Sequence, residues 1–158
     1  MRKFVALPVM LMVIGLLACG TPVQTDPAPQ AIPILKQWAG TLPVAALDTL
    51  PENQRATPLG YISEEAIFSR VWQEFSPDQP LPQVDFADSL VLFARNTRYF
   101  NTTSIVQVNL REDVLQIIAI STMTARPIQD KVGMALALIP RTTAHMIEIP
   151  QGQPLAIE

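Results

Sequence analysis

The order of its apolar segments is the feature that most restricts how this chain can fold. One segment has helical spacing, and its apolar face consists of Ile67, Phe68, Val71, Trp72 and Phe75. This spacing predicts a helix from Glu64 to Phe75. Ser63 is the expected N-cap, the acidic residues after it suit the first turn, and Pro77 follows the helix end. We expect Phe68 and Trp72 to anchor the helix on a flat apolar surface.

The other apolar segments are short and rich in Val, Ile and Leu, a composition typical of strands. The predicted strands are Leu59–Ile62, Leu90–Ala94, Ile105–Leu110, Val114–Ile120, Met134–Ile139, His145–Ile149 and a further one at Leu155–Ile157. The polar break Arg111-Glu112-Asp113 predicts a hairpin between the third and fourth of these strands. Because no helical segments remain to connect parallel strands, we expect an α+β fold with one packed helix on a mostly antiparallel sheet or small open barrel.

The N-terminus has the pattern of an export signal. Arg2 and Lys3 precede the apolar run from Phe4 to Leu17, which is short for a membrane span and contains Pro8. The run ends in Leu16-Leu17-Ala18-Cys19-Gly20, which resembles the bacterial lipobox, although Leu17 stands where a small residue is more usual. The resemblance implies cleavage before Cys19 and acylation of its thiol. The acyl chains on Cys19 would then bind the protein to the lipid bilayer. Gly20 implies sorting to the outer membrane, facing the periplasm, in a host with two membranes.

This signal defines the expected organisation: a signal peptide at residues 1–18, a disordered Pro-rich tether at 19–34 and one α+β domain at 35–158. The tether prediction rests on the segment TPVQTDPAPQAIP, which shows no apolar periodicity. Removal of the signal leaves 9 Lys and Arg residues against 14 Asp and Glu residues, a net charge of −5. We therefore expect no nucleic-acid partner. One Cys and one His also exclude an internal disulfide and a Cys/His zinc site.

A set of landmarks spread from Trp38 to Pro150 resembles the C-terminal domain of the protease-complex-stabilising subunit (PrcB-like) family. They are Trp38 and Gly40, Tyr61-Ile62-Ser63, Phe68 and Trp72, Leu81-Pro82-Gln83-Val84-Asp85-Phe86, Ala135 to Ala137, and His145-Met146-Ile147-Glu148-Ile149-Pro150. The resemblance implies a non-catalytic accessory role at the cell envelope, with an envelope protein or protease complex as partner. It departs from the family pattern after Ala94, where a Gly-rich turn is replaced by a segment without glycine.

Catalytic, metal and cofactor sites have little support in the sequence, so no catalytic residue, metal or cofactor is assigned. His145 is the single His, and strand alternation would place it with Ile147 and Ile149 as a structural residue at the core margin. Asp85 and Asp88 fit a turn better than a ligand or acid/base pair. A small-ligand-binding protein or hydrolytic envelope enzyme remains the alternative function.

The segment between the strands at Leu90–Ala94 and Ile105–Leu110 is the candidate partner-binding site. It contains Arg95, Arg98, Tyr99 and Phe100. Arg and Tyr are enriched at binding hot spots, and two positive charges stand apart in an acidic domain. The alternative is a plain connector with solvated arginines and an aromatic residue folded onto the sheet edge.

Overall fold

The computed structural model describes residues 28–96, 102–122 and 130–158. Nine strands, one α-helix and two short 3-10 segments form in these ranges. The strands are β1 Gln30–Ile32, β2 Lys36–Pro43, β3 Leu59–Ile62, β4 Ser89–Arg95, β5 Thr103–Arg111, β6 Val114–Ser121, β7 Lys131–Pro140, β8 Met146–Ile147 and β9 Leu155–Ala156. Helix α1 is Glu65–Phe75, and the 3-10 segments are Val44–Thr49 and Glu52–Gln54.

Two sheets face each other without closing into a barrel. One has the order β2-β7-β4-β3, and the other has the order β1-β5-β6-β8-β9. Every pairing is antiparallel except that of β6 with β8. The predicted α+β class with a mostly antiparallel sheet is therefore confirmed. The prediction allowed either a sheet or a small open barrel, and the structure shows two sheets that do not close into a barrel.

Helix α1 covers the outer face of the four-stranded sheet, as its apolar spacing predicts. Phe68, Val71, Trp72 and Phe75 are its buried residues, and they pack on sheet residues such as Phe93 and Met134. The opposite face of this sheet packs against the five-stranded sheet. Strand β7 is buried on both faces over most of its length, which explains its nearly continuous apolar sequence.

The helix N-cap prediction is wrong by one residue. Glu64 is the N-cap, with extended φ and ψ angles, and no side chain forms a capping hydrogen bond there. Ser63 lies one residue earlier, and Glu65 is the acidic residue in the first turn. The end of the helix at Phe75 agrees with the prediction.

The predicted tether, residues 19–34, is wrong at its C-terminal end. Gln30–Ile32 forms strand β1, which pairs with Val108 to Leu110 of β5. Ile32 is buried in the core between the sheets. Pro29 and Pro33 bracket a strand of only three residues at the sheet edge, where a missing backbone donor is tolerated.

The hairpin prediction is confirmed, since Arg111 pairs with Val114 across a two-residue turn. Glu112 has φ 55°, in the left-handed region, which favours glycine over other residues. Among the described residues, no helix is long and apolar enough to cross a bilayer.

Candidate functional site

An aromatic groove opens where α1 crosses strand β2. Its lining residues are Lys36, Trp38, Ala39, Trp72, Phe75, Ser76, Gln79, Pro80, Leu81 and Pro82, and its volume is about 540 Å³. Strand β2 is at the edge of its sheet, and it pairs with β7 on one side. A Cβ atom at Gly40 would lie 3.1 Å from the Phe75 ring. The absence of a side chain there lets the end of the helix lie close against the strand.

Two tryptophans form the floor of this groove. The ring centroids of Trp38 and Trp72 are 5.4 Å apart at an interplanar angle of 73°, an edge-to-face arrangement. Phe68 lies beneath both, at 6.2 Å from Trp38 and 5.8 Å from Trp72. Trp72 is buried, whereas Trp38 keeps part of its surface exposed. The groove therefore presents an aromatic face that the underlying core holds in place.

The segment after α1 forms the opposite wall and is tied to the same tryptophan. The indole Nε1 of Trp72 donates a hydrogen bond to the carbonyl of Gln79, with an N to O distance of 3.2 Å. The amide of Ser76 donates to the Trp72 carbonyl at 2.8 Å, and that of Gln79 to the Ser76 carbonyl at 3.0 Å. Leu81, beyond this turn, is 39% exposed. These bonds satisfy the buried indole and fix the wall.

Lys36 brings a positive charge to the rim. Its Nζ atom lies 5.4 Å from the centre of the Trp38 ring, within the range of a cation–π interaction. Lys36 is itself exposed, so this contact leaves the ammonium group available to a ligand. Of the described residues that line the groove, Lys36 is the one with an ionisable side chain.

The sequence did not point to this groove. From the sequence, Trp38 was identified only as a landmark of the family resemblance, and Trp72 as such a landmark and as a helix anchor. No role was predicted for Lys36 or Gln79. Strand β2 has mostly exposed or half-buried residues and contains Gly40 and Pro43, so it lacks the apolar run by which the other strands were predicted.

Arg95, predicted to contact a partner, lies at the end of β4 and is 6% exposed. Its Nε atom donates to the carbonyl of Thr57 at 2.8 Å, and an Nη atom donates to the carbonyl of Arg55. Burial lowers the pKa of the Arg95 guanidinium from its ordinary value through desolvation. This placement favours a structural role, in which Arg95 holds the segment before β3 against the sheet. Arg98, Tyr99, Phe100 and Cys19 lie outside the described residues.

Asp85 fulfils the predicted turn role. Its Oδ1 atom accepts a hydrogen bond from the amide of Ala87 at 2.9 Å. Asp88 is exposed, and its backbone carbonyl accepts a bond from the Arg141 amide at 2.8 Å. In the described part of the chain, no three His, Cys, Asp or Glu side chains are placed to hold a metal ion.

The prediction that His145 lies at the core margin, on the same side as Ile147 and Ile149, is wrong, because its side chain is exposed while both isoleucines are buried. Strand β8 begins only at Met146, so the alternation of that strand does not extend to His145. Its amide donates instead to the carbonyl of Asp113 at 2.9 Å.

A scan of the chain against models of protein families finds no match, and neither do searches of curated proteins and of solved structures.

Proposed function

We propose that the protein is a membrane-anchored envelope lipoprotein that acts as a non-catalytic protein-binding or complex-stabilising module. The aromatic groove is the proposed contact surface. The observation that carries the proposal is the half-exposed Trp38, held between the Trp72 ring and the Lys36 ammonium group. Tryptophan is among the residues most enriched at the energetic centres of protein interfaces.

The rigidity of the groove supports this role. Trp72 is fixed by its bond to Gln79 and by ring contacts with Phe68 and Phe75. A surface that is already ordered loses little side-chain entropy when a partner binds. Leu81 on one wall and Lys36 on the rim add an apolar and a cationic contact to the aromatic floor. A partner segment with apolar side chains and a nearby carboxylate would match this set.

The proposed anchor is Cys19, on the strength of the lipobox-like residues before it. A diacylglycerol with a further N-linked acyl chain provides the two hydrophobic signals that stable membrane attachment requires. The groove-bearing domain would then meet its partners at the membrane surface, where both are concentrated.

Binding of a small molecule, or hydrolysis of one, is the second candidate. The groove volume of about 540 Å³ lies within the range of small-ligand sites. General acid–base catalysis uses positioned titratable groups, and the groove contributes Lys36 alone among its described residues. This inventory supports binding over hydrolysis as the role of the groove.

The test is a pull-down from solubilised membranes with the intact lipoprotein and two charge-reversal variants. Lys36→Glu reverses the charge at the groove rim, whereas the control Arg70→Glu makes the same change on exposed helix surface outside the groove lining. We expect Lys36→Glu to lose bound proteins that the parent and Arg70→Glu retain, with equal melting temperatures for all three. A Trp38→Ala variant that remains folded should weaken partner binding by about 2 kcal/mol or more. Equal recovery of partners by all variants would refute the groove as the contact surface.

A further inference from the structure

In the described residues, one side of strand β6 is paired over only part of its length. Strand β8 pairs only with Val114 and Leu115 of β6, and the chain then turns away through Pro150 and Gln151, which has φ 59°. The rest of β6 pairs with β5 on one side. On its other side, no described strand pairs with Gln116 to Ser121.

The backbone groups that face this open edge follow from the register. The two-residue turn makes Arg111 and Val114 a hydrogen-bonded pair, so alternate residues of β6 from Val114 onward bond to β5. The amide of Thr122 donates to the Thr102 carbonyl at 3.1 Å, which extends this alternation to the far end. The Leu115 carbonyl accepts a bond from the Glu148 amide at 2.9 Å, on the side of β8.

By the same alternation, the N–H and C=O groups of Ile117, Ala119 and Ser121 point towards the open edge. The described residues supply no backbone partner for them. Unpaired edge groups of this kind are a ready template for another strand, and many proteins protect such edges with charges or proline. The segment from Gln116 to Thr122 contains neither.

Cavities lie on both sides of the edge. An inner cavity of about 340 Å³ is lined by Ile117, Ala119 and Ser121 on β6 and by Leu59 and Ala94 on the facing sheet. An outer recess of about 290 Å³ lies beside Gln116, Ile118 and Glu148. A strand added at this edge would direct alternate side chains into the inner cavity, the arrangement by which strand addition achieves specificity.

The outer face adds two further constraints on the occupant. Ile118 and Ile120 are 43% and 57% exposed, so outward side chains of an added strand would meet an apolar surface. Glu148 is exposed beside the start of the edge, and its Oε2 atom accepts a hydrogen bond from the neutral amide of Gln116 at 2.7 Å. A basic residue at that end of the occupant would complement its charge.

From this geometry we infer that the open edge of β6, from Ile117 to Ser121, binds an extended segment of a partner protein as an added antiparallel strand. The segment is apolar at alternate positions and carries a Lys or Arg residue against Glu148. A second copy of the chain fits less well, because its own edge residues 116–122 include no basic side chain. The inference rests on the proposed protein-binding role, but it assigns a surface separate from the aromatic groove.

The test is an NMR titration of the ¹⁵N-labelled full chain in detergent micelles. The probe peptide is acetyl-Val-Thr-Val-Thr-Val-Lys-amide, whose C-terminal Lys would lie near Glu148 in the antiparallel orientation while the Val side chains face the inner cavity. The control peptide has Thr in place of Lys. We expect saturable shifts at the amides of Ile117, Ala119 and Ser121, and small shifts at those of Ile118 and Ile120, which already bond to β5. Glu148→Gln should weaken binding of the Lys peptide about twofold to fivefold and leave the Thr peptide unchanged.

Two variants test the edge itself. Ala119→Pro removes an outward N–H group, a position where an edge strand tolerates proline, and should abolish the peptide-induced shifts. If this variant does not fold, the double variant Ile118→Lys, Ile120→Lys changes only exposed side chains and should also prevent binding of the Lys peptide.

Absence of saturable shifts at the edge amides, or shifts confined to the aromatic groove, would overturn the inference. So would self-association through β6 without peptide, which would assign the edge to a second copy. Failure of the peptide to bind at β6 would not change the result expected from the pull-down with Lys36→Glu, so the two proposals are tested separately.

Discussion

Gly60 gives the sharpest test of how the helix side of the four-stranded sheet is packed. It lies in β3 opposite Phe93 of β4. A Cβ atom at Gly60 would overlap both Gln54 Oε1 and the Phe93 ring, whose Cε1 atom would be 2.6 Å away. Phe93 is fully buried and Gln54 is 1% exposed, so a shift of either side chain would disturb the core around it.

The expected cost of Gly60→Ala has two parts. Forcing a methyl group into a packed core typically costs about 1–3 kcal/mol. The Oε1 atom of Gln54 also accepts a hydrogen bond from the Tyr61 amide at 2.6 Å, and displacement of Gln54 would leave a buried donor unsatisfied, at a cost of about 1–3 kcal/mol. We therefore expect the free energy of unfolding to fall by about 2–6 kcal/mol, out of the roughly 5–15 kcal/mol that holds a domain together.

The measurement is equilibrium unfolding in urea, with Gly40→Ala as the matched control. At Gly40 the three atoms nearest to the new methyl group belong to the Phe75 ring, the closest at 3.1 Å, a milder contact than the overlaps at Gly60, so the control should remain within about 1 kcal/mol of the parent. Adding Phe93→Leu to Gly60→Ala should recover part of the loss by removing one of the two overlaps. A Gly60→Ala protein that unfolds at the parent's midpoint would refute this account of the packing.

Four further outcomes are expected. Trp72→Ala should lose about 3–5 kcal/mol of stability, because the indole is buried and bonded; melting within a few degrees of the parent would contradict this. Glu112→Gly should raise the free energy of unfolding by up to about 1 kcal/mol, because it relieves a left-handed turn residue, and an unchanged or lower urea midpoint would count against strain there. Mass spectrometry should find an acylated peptide that begins at Cys19, and an unmodified Cys19 would disprove the lipidation prediction. If the segment with Arg98 and Tyr99 is a recognition site, the double variant Arg98→Glu, Tyr99→Ala should keep its circular dichroism and melting temperature and lose partners in a membrane pull-down; unchanged partners would make that segment a connector, and loss of the fold would assign Tyr99 to the core.

The sequence predicted the elements whose apolar residues recur with a clear period. Helix α1 and the β5–β6 hairpin lie where the pattern placed them, since the helix buries one face and both strands contribute buried residues to the core. Strand β3 also has the predicted bounds. In these segments local patterning and tertiary burial agree.

Strands β1 and β2 could not be predicted in this way. Both are edge strands with mostly exposed or half-buried residues, and their existence depends on partners far along the chain. The aromatic groove was missed for the same reason, because one of its two walls is β2. The open edge of β6 was also hidden, since only the register shows where β8 stops pairing.

The position of β7 has a consequence for the order of folding. Lys36 of β2 pairs with Leu138 of β7, more than a hundred residues later, and β7 also separates β2 from β4. The four-stranded sheet cannot assemble until Lys131–Pro140 is available, so its formation requires closure of very long loops and should be slow. For a chain exported through a membrane, as proposed, the late formation of this sheet would keep the polypeptide unfolded, and so able to pass through a translocation channel, until nearly all of it has been synthesised.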